Sequence, residues 1–162
     1  MWSYVNCLAF VKLTPEVSHS TCYMSIDACK RGFLSACRPV ICLDGCFIKT
    51  KYGGQLLITV GIDPNDCIFP IAMAMVEVES LVTWKWFLET LKSDMNIDNT
   101  YPWTIMTDKQ KVSIFHVYHA LSVIVCLLIV CHHVWQGLIP AVQQVFSESE
   151  HRFYVKHLYS NF

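Results

Sequence analysis

The sequence predicts an α/β fold, on three observations. Three strand-like apolar runs follow one another from Cys37 to Val78 across two tight turn signals, a helical pattern runs from Ser80 to Met95, and a short apolar run, WTIMT, ends at Asp108. Turns that short join their strands antiparallel, so the three runs form a meander. A helix between the third and fourth strands acts as a crossover and sets the fourth strand parallel to a neighbour in the same sheet. The expected neighbour is the first strand.

Each element follows from its residues. Residues 1 to 36 mix short apolar runs with polar breaks (Thr14-Pro15, Lys30-Arg31-Gly32), show no sustained period and read as a poorly defined lead-in. PVICLDGCFIK is strand-like, KYGG is a turn, QLLITVGI is the second strand, DPND is another turn, and CIFPIAMAMVEV is the third strand. In the helix, Trp84, Phe87, Leu88, Leu91 and Met95 recur at spacings of three and four, with charged residues between them and a cap near Ser80. Asn96 to Pro102 is a loop. Residues 37–111 thus form one unit, 112–136 an apolar insertion, and 137–162 a resumption of the same domain.

Composition narrows the class. With 54% hydrophobic and 15% charged residues, the 162-residue chain has enough apolar material for a core and is no candidate for disorder. A net charge of −1 excludes a global basic field, so any nucleic-acid contact must be local. Nine cysteines is an odd number for a disulfide framework, and Met1 is not followed by a basic and then a long apolar stretch. Reduced intracellular thiols packed as small hydrophobes are the expectation. Cys22, Cys29, Cys37, Cys42 and Cys46 lack the paired spacing of a structural zinc site.

Asp44 and Asp108 are the candidate site. Both carboxylates stand in strand-like apolar runs, where a charge is costly unless compensated, and two converging carboxylates are a natural seat for a divalent cation. The bland alternatives are a polar residue beside Gly45 for Asp44 and a helix cap for Asp108. Lys49, Lys51, Lys109 and Lys111 follow the two aspartates, where a phosphate backbone would run. Glu77 and Glu79 read as solvated charges near a strand end and are left out of the site. Trp84 and Trp86 could stack on bases, but Trp84 falls on the apolar stripe of the helix and reads as core.

Val112 to Gln136 holds no Lys, Arg, Asp or Glu in 25 residues, long enough for a membrane span. Four histidines and the lack of flanking basic clusters argue against one. A piece that begins with Val (GTN) and ends with Gln (CAG) has the borders of an unspliced GT…AG intron, and its composition is that of translated T-rich sequence. Translated intron, or a similar insertion, is therefore the expectation. Cys126, Cys131, His132 and His133 within it resemble a metal cluster only superficially, because adjacent histidines point in different directions.

The runs LDGCF, KYGGQLL, DPND, FPIAMA, TWKWFLETL, TDKQK and HRF…HLYSNF, in that order, resemble the transposase domain of plant Mutator-like elements over residues 37–111 and 137–162. The resemblance implies an RNase H-like fold and a DDE triad that uses two divalent ions, Mg²⁺ or Mn²⁺, to cut and join DNA in the nucleus. Asp44 and Asp108 match its first two acids, as catalytic residues and metal ligands; the third, a Glu on a later helix, has no counterpart in these 162 residues. The family's Cys-x-x-His element reads Tyr154-Val155-Lys156-His157, which leaves His157 as a remnant more structural than ligating. His151 belongs to the same resumed motif. DNA is the implied partner, with self-association into a homo-oligomer, and two carboxylates alone imply a metal held weakly or not at all. An inactive transposase fragment is the leading expectation. A domesticated DNA-binding or protein-interaction module is the first alternative, and a small membrane-anchored protein using Val112 to Gln136 is the second.

Sequencing of full-length transcripts is expected to show messages in which the 25 codons for Val112 to Gln136 are spliced out. Uniform in-frame retention of those codons would refute the intron reading.

Overall fold

The computed structural model describes residues 9–13, 21–49, 53–107 and 137–153. A seven-stranded sheet runs through them: β1 (Ala9–Leu13), β2 (Cys22–Ile26), β3 (Val40–Phe47), β4 (Gln55–Ile62), β5 (Ile68–Val76), β6 (Thr104–Thr107) and β7 (Glu150–Phe153), in the spatial order β1-β2-β5-β4-β3-β6-β7. The helices are α1 (Asp27–Ala36), α2 (Leu81–Asp94) and α3, residues 137–145.

The meander forms as its turn chemistry dictates. Gly53 and Gly54 both take positive φ ahead of β4, and Asp63 Oδ1 accepts the amides of Asn65 and Cys67 in the turn before β5. Strand β5 pairs antiparallel with β4 and carries Pro70 opposite Val60, where the register shifts. A proline lacks the amide that a regular ladder needs, which fits a local irregularity there. Ser80 caps α2: its hydroxyl accepts the Thr83 amide and the Thr83 hydroxyl accepts the Ser80 amide. The chain then returns into β6, which lies parallel to β3 with Ile41 opposite Ile105 and Leu43 opposite Thr107.

Two parts of the sheet escape the sequence reading. Residues 1–36 showed no period, yet β1, β2 and α1 lie there, with β2 hydrogen-bonded to β5 as part of the main sheet. Their signal is weak because β1 and β2 have five residues each and α1 buries only Phe33. The four residues of β7 are too few to show alternation, and they gain strand form by pairing parallel with β6.

The core lies on one face. Strand β4 alternates strictly between buried and half-buried residues, and the buried set (Leu57, Thr59) shares its face with Leu43, Ala72, Ala74, Tyr23 and Ile105 through the strand registers. Phe33 of α1, Trp84, Phe87, Leu88 and Leu91 of α2, and Ala141, Val142 and Val145 of α3 join that face in one cluster. Phe33 fills the space where Gly61 would carry a Cβ, so the glycine admits the helix. On the opposite face a row of cross-strand partners runs Asp44, Ile58, Met73, Met24. Met24 and Met73 are exposed, so this second face is open among the described residues.

A buried polar knot ties α1 and α2 to β2. Asp94 accepts from Tyr23 Oη (3.0 Å), Ser25 Oγ (2.5 Å) and Lys30 Nζ (2.5 Å), and the Lys30 and Asp94 side chains are only 12% and 8% exposed. Burial, reinforced by the Asp94 charge, pushes the Tyr23 hydroxyl above its ordinary value, so it remains a donor. Removing one partner would strand the others without water. Asp94→Ala is therefore expected to destabilise the fold by ~3–5 kcal/mol in urea unfolding, with Asp94→Asn intermediate; a loss under ~1 kcal/mol would show that the knot is dispensable.

Candidate active site

Asp44 lies on β3, one residue past Leu43, the last residue whose pairing with β6 is described. Among the described residues the parallel register runs Val40 to Leu43 against Thr104 to Thr107, and the last of these pairs precedes Asp44 and Asp108 by one residue in the sequence. Asp44 is exposed, on the open face of the sheet. Its Oδ1 accepts the Gly45 amide at 2.8 Å, which holds the carboxylate close to its own backbone. Asp108 lies outside the described residues, as do Lys51, Lys109, Lys111, His157, and Cys126, Cys131, His132 and His133. Lys49 is described and exposed just past β3.

A cavity of about 260 Å³ opens beside Asp44, lined also by Cys42, Leu43, Val60, Asp66, Met106 and Thr107. It therefore touches the ends of both strands of the parallel pair. Burial pushes the Cys42 thiol up, so it stays protonated near neutral pH and offers no thiolate. The hard oxygens of Asp44 are the donors suited to Mg²⁺ or Mn²⁺ on this wall. Among the described residues no three His, Cys, Asp or Glu side chains converge; Asp108 is not among them. The six described cysteines are free thiols.

Thr107 is buried at the end of β6, and its hydroxyl meets His151 Nε2 of β7 at 3.0 Å. The His151 ring packs edge-on against Phe153 (centroids 4.9 Å apart), and burial holds its pKa below the ordinary histidine value, so the ring is neutral at pH 7. His151 thereby braces the residue before Asp108.

The sequence reading set aside one residue that the fold brings to the site. Glu79 is only 7% exposed. Its Oε1 accepts the indole N–H of Trp84 at 2.8 Å, and its carboxyl group occupies the space beside Gly45 where a side chain would begin: an added Cβ would sit 2.9 Å from Oε2. Glu77 is exposed, as a strand-end charge ordinarily is. Trp84 is fully buried and spends its one polar hydrogen on Glu79, which places it in the core and away from any base stack. A glycine inside a strand two residues after Leu43, and a tryptophan five residues after Glu79, were the only local traces of this arrangement.

Burial raises the Glu79 pKa most, the Trp84 hydrogen bond opposes this, and the Asp44 charge adds to the rise. A carboxyl whose folded pKa exceeds its unfolded one contributes fully below the ordinary value of 4.5 and loses that contribution as pH rises through the folded value. Glu79→Gln should therefore melt near the parent at acid pH and above it at pH 7 to 8. A constant difference across that range would show that Glu79 has no raised pKa.

The model for the MULE transposase domain matches residues 40–133, more than half of the chain, and that span takes in β3 to β6 with Asp44 and Asp108. No curated protein and no solved structure matches. No helix among the described residues is long and apolar enough to cross a membrane. With a parallel strand pair leading to its two aspartates and a family match over the same elements, the chain belongs to the MULE transposase domain family.

Proposed function

We propose that the chain carries the two-aspartate part of a Mutator-like DDE site for DNA cleavage and strand transfer, on an RNase H-like sheet, and that these 162 residues bind a divalent ion without cutting DNA. One observation carries the reading: β3 and β6 pair in parallel up to Leu43 and Thr107, the residues immediately before Asp44 and Asp108. The antiparallel β3-β4-β5 meander and the α2 crossover support the fold assignment.

Asp44 and Asp108 would hold Mg²⁺ or Mn²⁺, which supplies Lewis-acid polarisation of phosphoryl oxygens when bound. Asp44 fits that role as a hard carboxylate on the cavity wall, one oxygen of which accepts the Gly45 amide. Lys49, with Lys51, Lys109 and Lys111, gives local positive charge for a phosphate backbone on a chain of net charge −1. Two carboxylates bind Mg²⁺ weakly and leave the remaining ligands to substrate and water. The reading assigns two acids of the triad, Asp44 and Asp108, and two carboxylates are not expected to support cleavage. DNA, a second copy of the chain and a nuclear location complete the reading.

Electron paramagnetic resonance of added Mn²⁺ is expected to show binding that Asp44→Asn and Asp108→Asn each weaken by at least ~10-fold. Supercoiled plasmid should stay uncut with Mg²⁺ or Mn²⁺. Unchanged Mn²⁺ affinity in both variants would refute the metal site, and nicking abolished by Asp44→Ala would refute the inactivity.

A further inference from the structure

We infer that Glu79 is a positioning residue for Asp44: its buried carboxyl group, fixed by the Trp84 indole, backs Gly45 and so holds the stretch of β3 that presents the Asp44 carboxylate. This deepens the metal-site reading and depends on it only for the functional consequence.

The contacts form a continuous chain. Trp84 is fully buried in the core cluster and anchors one Glu79 oxygen at 2.8 Å. The other oxygen would stand 2.9 Å from a Cβ on residue 45, a separation that real Cβ atoms essentially never show, and the carboxyl carbon 3.1 Å, so with Glu79 held by Trp84 a side chain there would push the carboxyl group or the strand aside. Glycine lets the two approach so near. The Gly45 amide in turn donates to Asp44 Oδ1 at 2.8 Å, so any shift of the Gly45 backbone moves the donor that orients Asp44.

Glu79 restrains Gly45 from the helix face, through sterics and one buried hydrogen bond to Trp84 rather than by touching metal or substrate. Glutamine, with the same shape and an amide oxygen for the Trp84 indole, retains that contact; alanine removes it.

The test needs a signal from residue 45 and a separate one from the metal. Asp44-Gly45 is the chain's single Asp-Gly pair, so carbonyl-¹³C aspartate with ¹⁵N glycine labels one amide for NMR. In folded protein, Glu79→Ala should shift the Gly45 amide proton as Asp44→Asn does, the latter labelled with carbonyl-¹³C asparagine instead, and weaken Mn²⁺ binding by ~10-fold, as loss of an outer partner to a metal ligand does. Glu79→Gln should keep both the shift and the affinity near the parent values. An unmoved Gly45 signal in Glu79→Ala would overturn the proposal, as would a Glu79→Gln variant that loses Mn²⁺ like Asp44→Asn, since that marks Glu79 as a direct ligand. If Glu79→Ala does not fold, Glu79→Gln and the larger-gap Glu79→Asp are compared in its place: a Gly45 signal kept by Gln and moved by Asp supports the brace, and equal behaviour overturns it. A parent protein that binds no Mn²⁺ but shows the Gly45 pattern would sink the metal-site reading alone.

Discussion

Parallel pairing of β3 with β6 is the constraint on which the other features depend, because it brings two strands that are remote in sequence to a common end. A parallel pair cannot be closed by a short turn, so the intervening chain must cross over the sheet, and α2 is the element that does so. Its apolar stripe can be buried only against one face, and that burial sets where the strand emerges. The same geometry sets Asp44 of β3 and Thr107 of β6 on the wall of one cavity.

The crossover also makes the sheet asymmetric. All three helices gather on one face, with Trp84, Phe87 and Phe146 at the centre of the cluster and the Asp94 knot locking α1 and α2 to β2. The far face carries the row of Asp44, Ile58, Met73 and Met24. Asp44 on that open face is exposed to solvent, whereas Glu79, on the helix side, is buried and has its pKa raised. Two carboxylates flanking one glycine thus face opposite environments, which separates a group fit to bind a cation from one fit to brace it.

Where the sequence was legible, the reason is local chemistry repeated over enough residues. QLLITVGI is an apolar run bounded by two turn signals and is β4 to the residue; Ser80 caps α2 because a hydroxyl there satisfies a free helix amide; the glycines of KYGG take the positive φ that other residues resist. Where it was not legible, the elements are short or half-exposed. Residues 9–36 have too few apolar positions in register to declare two strands and a helix, and β7 is a strand only because β6 offers it a partner. Glu79 was misjudged as a solvated strand-end charge because its burial comes from Trp84 and Gly45, which lie five residues ahead of it and on another strand.

The sequence by itself determined the α/β class, the meander, the crossover helix and the first strand as parallel neighbour of the last, because turn residues, periodicity and capping are properties of adjacent residues. Tertiary structure alone decided the register of that pair, which face stays open, and that a glutamate on one side of Gly45 backs an aspartate on the other. Those outcomes depend on packing between segments far apart in the chain, where a carboxyl group seated over a glycine, in the space a Cβ would take, leaves no periodic trace in either segment.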